Sequence, residues 1–168
     1  MNVSIGGRSI LLSVSAVVLA AAIVTAPARA SAAPASTRLD TVHDSGAVAE
    51  TVQRFHDALR QGDSTGALAL LAPDAVVLES GDTESLAEYR AHHLPADIAF
   101  AQAVRETRSA IRVTVRGDAA WAVSTTSVLG TFRTRSVNSA GAELMVLSRT
   151  PTGWVISAIH WSSRAKKK

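Results

Sequence analysis

The chain has 168 residues and a formal net charge of +3 at pH 7; 47% of its residues are hydrophobic and 18% are charged. This length predicts one domain, or two very small ones, and the composition excludes a disordered polar chain. The absence of cysteine excludes a disulfide-stapled scaffold, a thiolate zinc site, a cysteine nucleophile and a lipid-modified cysteine anchor.

Residues 1–30 have the pattern of a secretory signal peptide. Arg8 lies in a short polar start, an apolar run follows from Ile10 to Val24, and Pro27–Ala30 supplies small residues before a cut after Ala30. The run is shorter than the roughly 20 residues that a membrane-spanning helix needs. We therefore expect an exported protein, periplasmic or secreted, with no stable membrane anchor after cleavage.

The remaining chain carries little net charge. Without residues 1–30 it has 15 basic and 14 acidic residues, and three of the basic ones are Lys166, Lys167 and Lys168. A nucleic-acid-binding surface would combine a basic stripe with aromatic residues, so no nucleic-acid partner is expected. Residues 31–44, rich in Ala, Ser, Thr and Pro, predict a disordered leader. One domain is expected over 45–164, followed by a basic tail over 165–168.

The first half of this domain is predicted to be mainly helical. Apolar residues recur at helical spacing from Gly46 to Gln61, Asp63 is placed to cap a second helix, and Ser85 with Glu88 forms the capping box of a third. The predicted helices are 46–61, 63–71, 85–93 and 96–102, with a short strand at 75–78 before the third. Pro95 predicts the break between the last two.

The second half has the spacing and composition of strands. Alternating and β-branched residues predict strands at 111–115, 119–132, 143–149 and 154–163, with a two-residue hairpin loop at Gly117-Asp118. Helices followed by an antiparallel meander predict an α+β fold, with the helices on one face of a curved sheet.

Three segments, in this order and spacing, resemble the nuclear transport factor 2-like (NTF2-like) superfamily, which includes SnoaL-like, DUF4440-like and ketosteroid isomerase-like proteins. They are Val52–Val76, Gly117–Trp121 and Gly153–Ser163. The resemblance spans 46–163. It implies a cone-shaped curved antiparallel sheet with three N-terminal helices on its concave face, an apolar pocket between sheet and helices, and a homodimer formed through the sheet.

The strongest candidate site is a glutamate–histidine pair in the last hairpin. An even-numbered loop centred on Pro151-Thr152 sets Arg149 opposite Trp154, and Glu143 opposite His160. A carboxylate beside an imidazole fixes the tautomer of the ring, as a general base or a metal ligand requires. A purely structural Glu–His pair is the alternative, and an odd-numbered loop would place the two side chains on opposite faces.

A second candidate group lies on the third helix. Tyr89 and His93 share one face at i, i+4 spacing, and Glu88 and His92 share another. Asp97 would align with His93 if Pro95 did not interrupt the helix. The alternative is a helix with a structural role alone, capped at its start and carrying one solvent-facing and one buried histidine.

The resemblance places this helix across the pocket from the sheet, so that His93 would meet His160. With Glu143, these two imidazoles would suffice for a divalent metal such as zinc. No compact ligand spacing such as H-x-x-x-H accompanies them.

The expected function is the binding of a small, largely apolar molecule without a cofactor. Trp154, Ile156, Met145 and Asp97 are expected to line the pocket. If the protein is an enzyme, it performs acid–base chemistry with His160 as base, Glu143 orienting it, and His93 or Tyr89 opposite. As in SnoaL-type cyclases, Glu143 or Asp97 is an alternative pocket acid and base. The three active-site residues of ketosteroid isomerases have no evident counterparts, so that activity is not carried over. A non-catalytic binding or dimerisation module and a metal-dependent pocket remain the alternatives.

Overall fold

Helices come first and strands after, as the sequence predicts, in a computed structural model that describes residues 35–167, with side chains from residue 43. The predicted signal peptide lies outside the described residues. The helical segments are α1 (Ala35–Gln61), α2 (Ser64–Ala69), α3 (Leu86–Glu88), a π-helical segment (Tyr89–His93) and α4 (Leu94–Ala103). The strands are β1 (Leu71–Glu79), β2 (Asp82–Ser85), β3 (Val104–Arg108), β4 (Arg112–Arg116), β5 (Ala119–Phe132), β6 (Arg135–Thr150) and β7 (Gly153–Ala165).

The first helix is longer than predicted. It begins at Ala35 rather than near Gly46, so most of the segment expected to be a disordered leader is helical. No proline follows Pro34 until Pro73, so no proline interrupts the helix in this segment. The helix ends as predicted at Gly62, whose φ of 76° is favourable only for glycine.

The helical segment between β2 and β3 is irregular. The predicted capping box is confirmed, because Ser85 accepts the Glu88 N–H and Glu88 accepts the Ser85 N–H at 2.8 Å. One π-helical turn then leads into α4, where Pro95 lies in the first turn. The backbone stays helical through Leu94, whose N–H donates to the Tyr89 carbonyl, so the break predicted at Pro95 does not occur.

The seven strands form one curved, open sheet in the order β2-β1-β7-β6-β5-β3, with β4 also pairing with β5. A wholly antiparallel sheet was expected, but strands β1 and β7 pair in parallel. Strands β2 and β3 are short, polar and absent from the prediction. The helices pack on one face of this sheet, called the inner face, through buried α1 residues such as Val52 and Phe55. Among residues 35–167, no helix is long and apolar enough to cross a membrane.

A β-bulge in β7 determines which residues face inward. Arg149 lies opposite Trp154 as predicted. The register then shifts by one residue between Val146 and Leu147, because Ser157 of β7 has no residue opposite it on β6. A single extra residue exchanges the faces of every side chain beyond it. His160 is therefore opposite Leu144, and Glu143 is opposite Trp161.

Candidate functional site

Four inner-face residues form a row across four adjacent strands: Glu79 of β1, Trp161 of β7, Glu143 of β6 and Ser124 of β5. The next inner row toward the loop that joins β6 and β7 is apolar and buried, and includes Met145 and Ile159. The polar row thus marks the boundary between the packed core and the other end of the inner face.

Glu143 is the most extensively bonded residue of this row. Its Oε1 accepts hydrogen bonds from Arg108 Nη1 at 2.7 Å and Ser124 Oγ at 3.3 Å, and its Oε2 accepts one from Trp161 Nε1 at 2.7 Å. His56 Nε2 lies 3.0 Å from Oε2. Because Glu143 is 6% exposed, these partners are what make a buried carboxylate tolerable.

The partners of Glu143 keep it ionised. Burial alone would raise the pKa of Glu143, but the hydrogen bond from His56, the charge of Arg108 and the hydrogen bond from Trp161 outweigh it and hold the pKa below its ordinary value. Both carboxylate oxygens are occupied by protein donors. Glu143 is therefore a fixed charge that positions its neighbours rather than a free proton acceptor.

Arg108 links two carboxylates and the imidazole of His56. Its Nη2 donates to Glu106 Oε1 at 2.7 Å and lies 3.3 Å from His56 Nδ1. A guanidinium has no acceptor, so Nδ1 accepts and the ring proton of His56 is on Nε2, facing Glu143. The cluster of His56, Glu106, Arg108 and Glu143 therefore has mutually consistent donors and acceptors.

A cavity of about 210 Å³ adjoins this cluster, between the inner face and helices α1 and α4. Its apolar wall includes Leu59, Phe100, Val104 and Val128. Its polar lining residues are His56, Arg60, Glu79, Asp97, Glu106, Thr126, Ser139, Glu143, Ser162 and Ser163. A concave space that combines an apolar wall with polar groups is the usual form of a small-molecule site.

Asp97, from the first turn of α4, is the lining residue with the most altered acidity. Burial raises its pKa to about 6, and the charges of Glu79 and Glu84 act in the same direction, against a hydrogen bond from Tyr89. The Tyr89 hydroxyl donates to Asp97 Oδ2 at 3.0 Å. No described residue donates a hydrogen bond to Oδ1, so Asp97 can exchange a proton near neutral pH.

Tyr89 and His93 lie beside Asp97 but are not among the residues that line the cavity. Tyr89 is fully buried, and burial, followed by the charge of Asp97, raises its pKa. His93 Nδ1 lies 2.6 Å from Glu84 Oε1, and this hydrogen bond raises the histidine pKa. Of the predicted catalytic residues, Tyr89 therefore contacts Asp97, while His93 is bonded to a residue of β2.

The predicted pairing of Glu143 with His160 is wrong. His160 is exposed on the outer face of the sheet, because the bulge at Ser157 reverses its orientation. The same geometry separates the predicted metal ligands, since His160 and Glu143 lie on opposite faces. Among the described residues, no group of three or more His, Asp or Glu side chains is placed to hold a metal ion.

The predicted pocket residues divide into two groups. Asp97 lines the cavity, whereas Trp154, Ile156 and Met145 are buried in the packed core on the other side of the polar row. Their inward orientation was predicted, but the core already fills that end of the sheet. The sequence did not identify His56, Glu79, Glu106 or Arg108; His56 shows a weak signal as a histidine on the apolar face of α1.

Family membership agrees with this architecture. A family model described as a SnoaL-like domain matches residues 48–166. No curated protein matches the sequence significantly.

Solved structures with the same fold include three from bacteria. A candidate ketosteroid isomerase from Shewanella frigidimarina is 33% identical, with a TM-score of 0.65, covering 69% of this chain and 94% of that one. An NTF2-like protein with a cystatin-like fold from Novosphingobium aromaticivorans is 20% identical, with a TM-score of 0.62 and coverage of 76% and 86%. The hexachlorocyclohexane dehydrochlorinase LinA-type3 from Novosphingobium barchaimii is 12% identical, with a TM-score of 0.64 and coverage of 76% and 90%. The chain belongs to the SnoaL-like family of NTF2-like proteins.

Proposed function

We propose that this protein binds a small, largely apolar molecule in the cavity and moves a proton on it through Asp97, without a cofactor. The observation that carries the proposal is the placement of Asp97. It lines the cavity, burial raises its pKa to about 6, and one of its oxygens accepts a hydrogen bond from Tyr89. A general base works best when its pKa lies near the working pH.

The residues around Asp97 have distinct roles in this proposal. Tyr89 orients the carboxylate through Oδ2 and leaves Oδ1 for the substrate. The apolar wall formed by Leu59, Phe100, Val104 and Val128 holds the body of the ligand and keeps water from the proton being moved. His56 and Glu143, both in contact with Arg108, form a fixed polar wall. The reaction class is therefore isomerisation, elimination or another step that begins with removal of a proton.

The membership in this family, shared with a candidate ketosteroid isomerase at 33% identity, supports a ligand-binding cavity and this class of reaction. The similarity to that protein does not identify a substrate for this chain. Export, inferred from residues 1–30, remains part of the proposal.

We further propose that the outer face of the sheet forms a homodimer. Five large apolar residues are exposed on the described part of the chain, at 36–61% of their surface: Leu78, Trp121, Leu129, Leu144 and Val146. Leu78 and Leu144 flank His160 on adjacent strands, and Val146 lies opposite Trp121. Leu129 lies farther along β5, opposite Asn138, apart from the other four. Those four form an apolar patch on one sheet face, which is typical of a protein–protein interface.

A binding or dimerisation module without catalysis is the second candidate function. The observation that favours it is the saturation of Glu143, whose two oxygens are both bonded within the protein. In that case the polar cluster contributes only to stability, and Asp97 serves to bind a ligand.

The cavity is tested with benzyl alcohol, a neutral single-ring probe, by NMR chemical-shift perturbation. We expect shifts at the amides of residues lining the cavity. Ala101→Trp fills the cavity and should abolish them, whereas Ala99→Trp, at an exposed position of the same helix, should not. Shifts that are scattered over the surface or insensitive to Ala101→Trp would contradict the proposed binding site.

A further inference from the structure

Resting on the proposed function, we propose that Glu79 determines the ligand class of the cavity. The ligand is an apolar amine whose ammonium group binds the carboxylate of Glu79, in the cavity that Asp97 also lines.

The charges that line the cavity do not balance. Glu106 and Glu143 both pair with Arg108, at 2.7 Å each, and the guanidinium of Arg60 pairs with Asp57. Glu79 and Asp97 form no ion pair with any described side chain. The charge of His93 acts on Asp97, but its ring is bonded to Glu84. Glu79 and Asp97 therefore lack an ion-pair partner in the cavity, whereas Glu106 and Glu143 share Arg108.

Glu79 is held in this position by the sheet. It is the last residue of β1 and lies opposite Trp161 of β7, on the inner face. It is partly buried, and its negative charge raises the pKa values of Tyr89, His93 and Asp97. Glu79 and Asp97 both line the cavity, so their charges act in the same space.

An ammonium group would compensate the negative charge of Glu79. It would stabilise that carboxylate in its ionised form, offsetting the cost of holding it in a partly desolvated space. A charge-assisted hydrogen bond from an ammonium to a carboxylate is also stronger than one from a neutral hydroxyl. Phe100 and Trp161 line the same space, and aromatic faces attract cations.

The same charges exclude an anionic ligand. A carboxylate-bearing molecule would bring a third negative charge next to Glu79 and Asp97. Arg108 is shared by Glu106 and Glu143, and Arg60 pairs with Asp57. The apolar wall admits the hydrocarbon part of a ligand of any charge, so charge alone separates amines from acids of the same shape.

The experiment compares three probes of the same shape: benzylammonium, benzyl alcohol and benzoate. Their dissociation constants are measured by NMR titration at pH 7.5, where the Asp97 carboxyl, with a pKa of about 6, is ionised. We expect benzylammonium to bind at least tenfold more tightly than benzyl alcohol, and benzoate to bind most weakly, as a charge-assisted hydrogen bond implies.

Two variants test whether Glu79 is the source of the preference for benzylammonium. Glu79→Gln keeps the size of the side chain and should reduce the preference for benzylammonium to about threefold or less. Asp82→Asn removes a negative charge from an exposed position of the same hairpin and should leave the preference intact.

The outcomes separate this inference from the proposed function. Equal affinity for the three probes, tightest binding of benzoate, or an unchanged preference in Glu79→Gln would overturn the inference while leaving the cavity as a binding site. Failure of all three probes to perturb the cavity residues would contradict the proposed binding site itself. The comparison of probes on the unmodified protein does not depend on the folding of any variant.

Discussion

Glu143 lies directly opposite Trp161 on adjacent strands, and its Oε2 accepts a hydrogen bond from the indole N–H at 2.7 Å. This contact exists because Ser157 bulges out of β7 and turns Trp161, rather than His160, toward the inner face. The contact connects the polar row of the sheet to the wall of the cavity.

We predict that Glu143→Gln destabilises the protein by about 3 kcal/mol at pH 7, because the partly buried guanidinium of Arg108 loses one of its two carboxylate partners. Equilibrium urea denaturation measures the effect. The lowered pKa of Glu143 means that its carboxylate stabilises the fold above the pKa of the unfolded chain, and that this stabilisation is lost as the pH falls through the folded pKa. The difference between the variant and the wild type should therefore shrink in acid.

Glu106→Gln is the matched control, since Glu106 binds the same guanidinium from a more exposed position. We expect it to cost less than about 1 kcal/mol. Equal losses for the two variants would show that burial of Glu143 is not what makes its charge important.

Asp97→Asn should stabilise the protein at pH 8. Because the pKa of Asp97 is raised to about 6 in the folded state, its protonated form is the favoured one, and its contribution to stability is lost as the pH rises through that value. An asparagine cannot ionise and avoids the loss, which is at most about 3 kcal/mol. Denaturation curves at pH 8 and pH 3 should show a gain at the former and none at the latter. A gain independent of pH would contradict the assignment.

Tyr89→Phe should raise the pKa of Asp97 above about 6. The Tyr89 hydroxyl donates to Oδ2 and so favours the carboxylate form. Carbon-13 NMR of the labelled Asp97 carboxyl across pH measures the change directly. An unchanged or lower pKa would show that this hydrogen bond does not set the acidity of the site. Loss of one buried hydrogen bond should also cost about 1 kcal/mol of stability.

Val146→Glu tests the proposed homodimer. It places a carboxylate in the middle of the apolar patch, opposite Trp121, where burial of a charge would disfavour association. Light scattering with size-exclusion chromatography should show a dimeric wild type and a monomeric variant. Gln53→Glu adds the same charge on an exposed position of α1 and should leave the dimer intact. A monomeric wild type would contradict the proposal outright.

Local patterns in the sequence predict most of the fold. The capping box at Ser85 and Glu88, the end of α1 at Gly62 and the loop that pairs Arg149 with Trp154 all depend on residues close together in the chain, and all are confirmed. The short polar strands β2 and β3 carry no alternating apolar pattern, so nothing local distinguishes them from loops.

The candidate site is harder to predict because it depends on long-range register. Whether His160 faces the helices or the outer face is decided by one unpaired serine, and an extra residue in a strand has no reliable sequence signature. Similarly, Arg108 meets Glu143 only because β3 and β6 both lie against β5. Asp97, whose position on a helix after Pro95 is a local property, is the candidate that both the sequence and the structure place in the pocket.

Proton transfer by Asp97 to or from a molecule bound in the cavity can be tested without knowing the natural substrate. Indan-2-one is a small apolar ketone with acidic carbon-bound protons, and their exchange for deuterium in D₂O is followed by NMR. We predict that the protein accelerates this exchange and that Asp97→Asn lowers the acceleration by about 100-fold or more, in the range of general-base catalysis. Exchange at the same rate with the wild type and with Asp97→Asn would contradict the account.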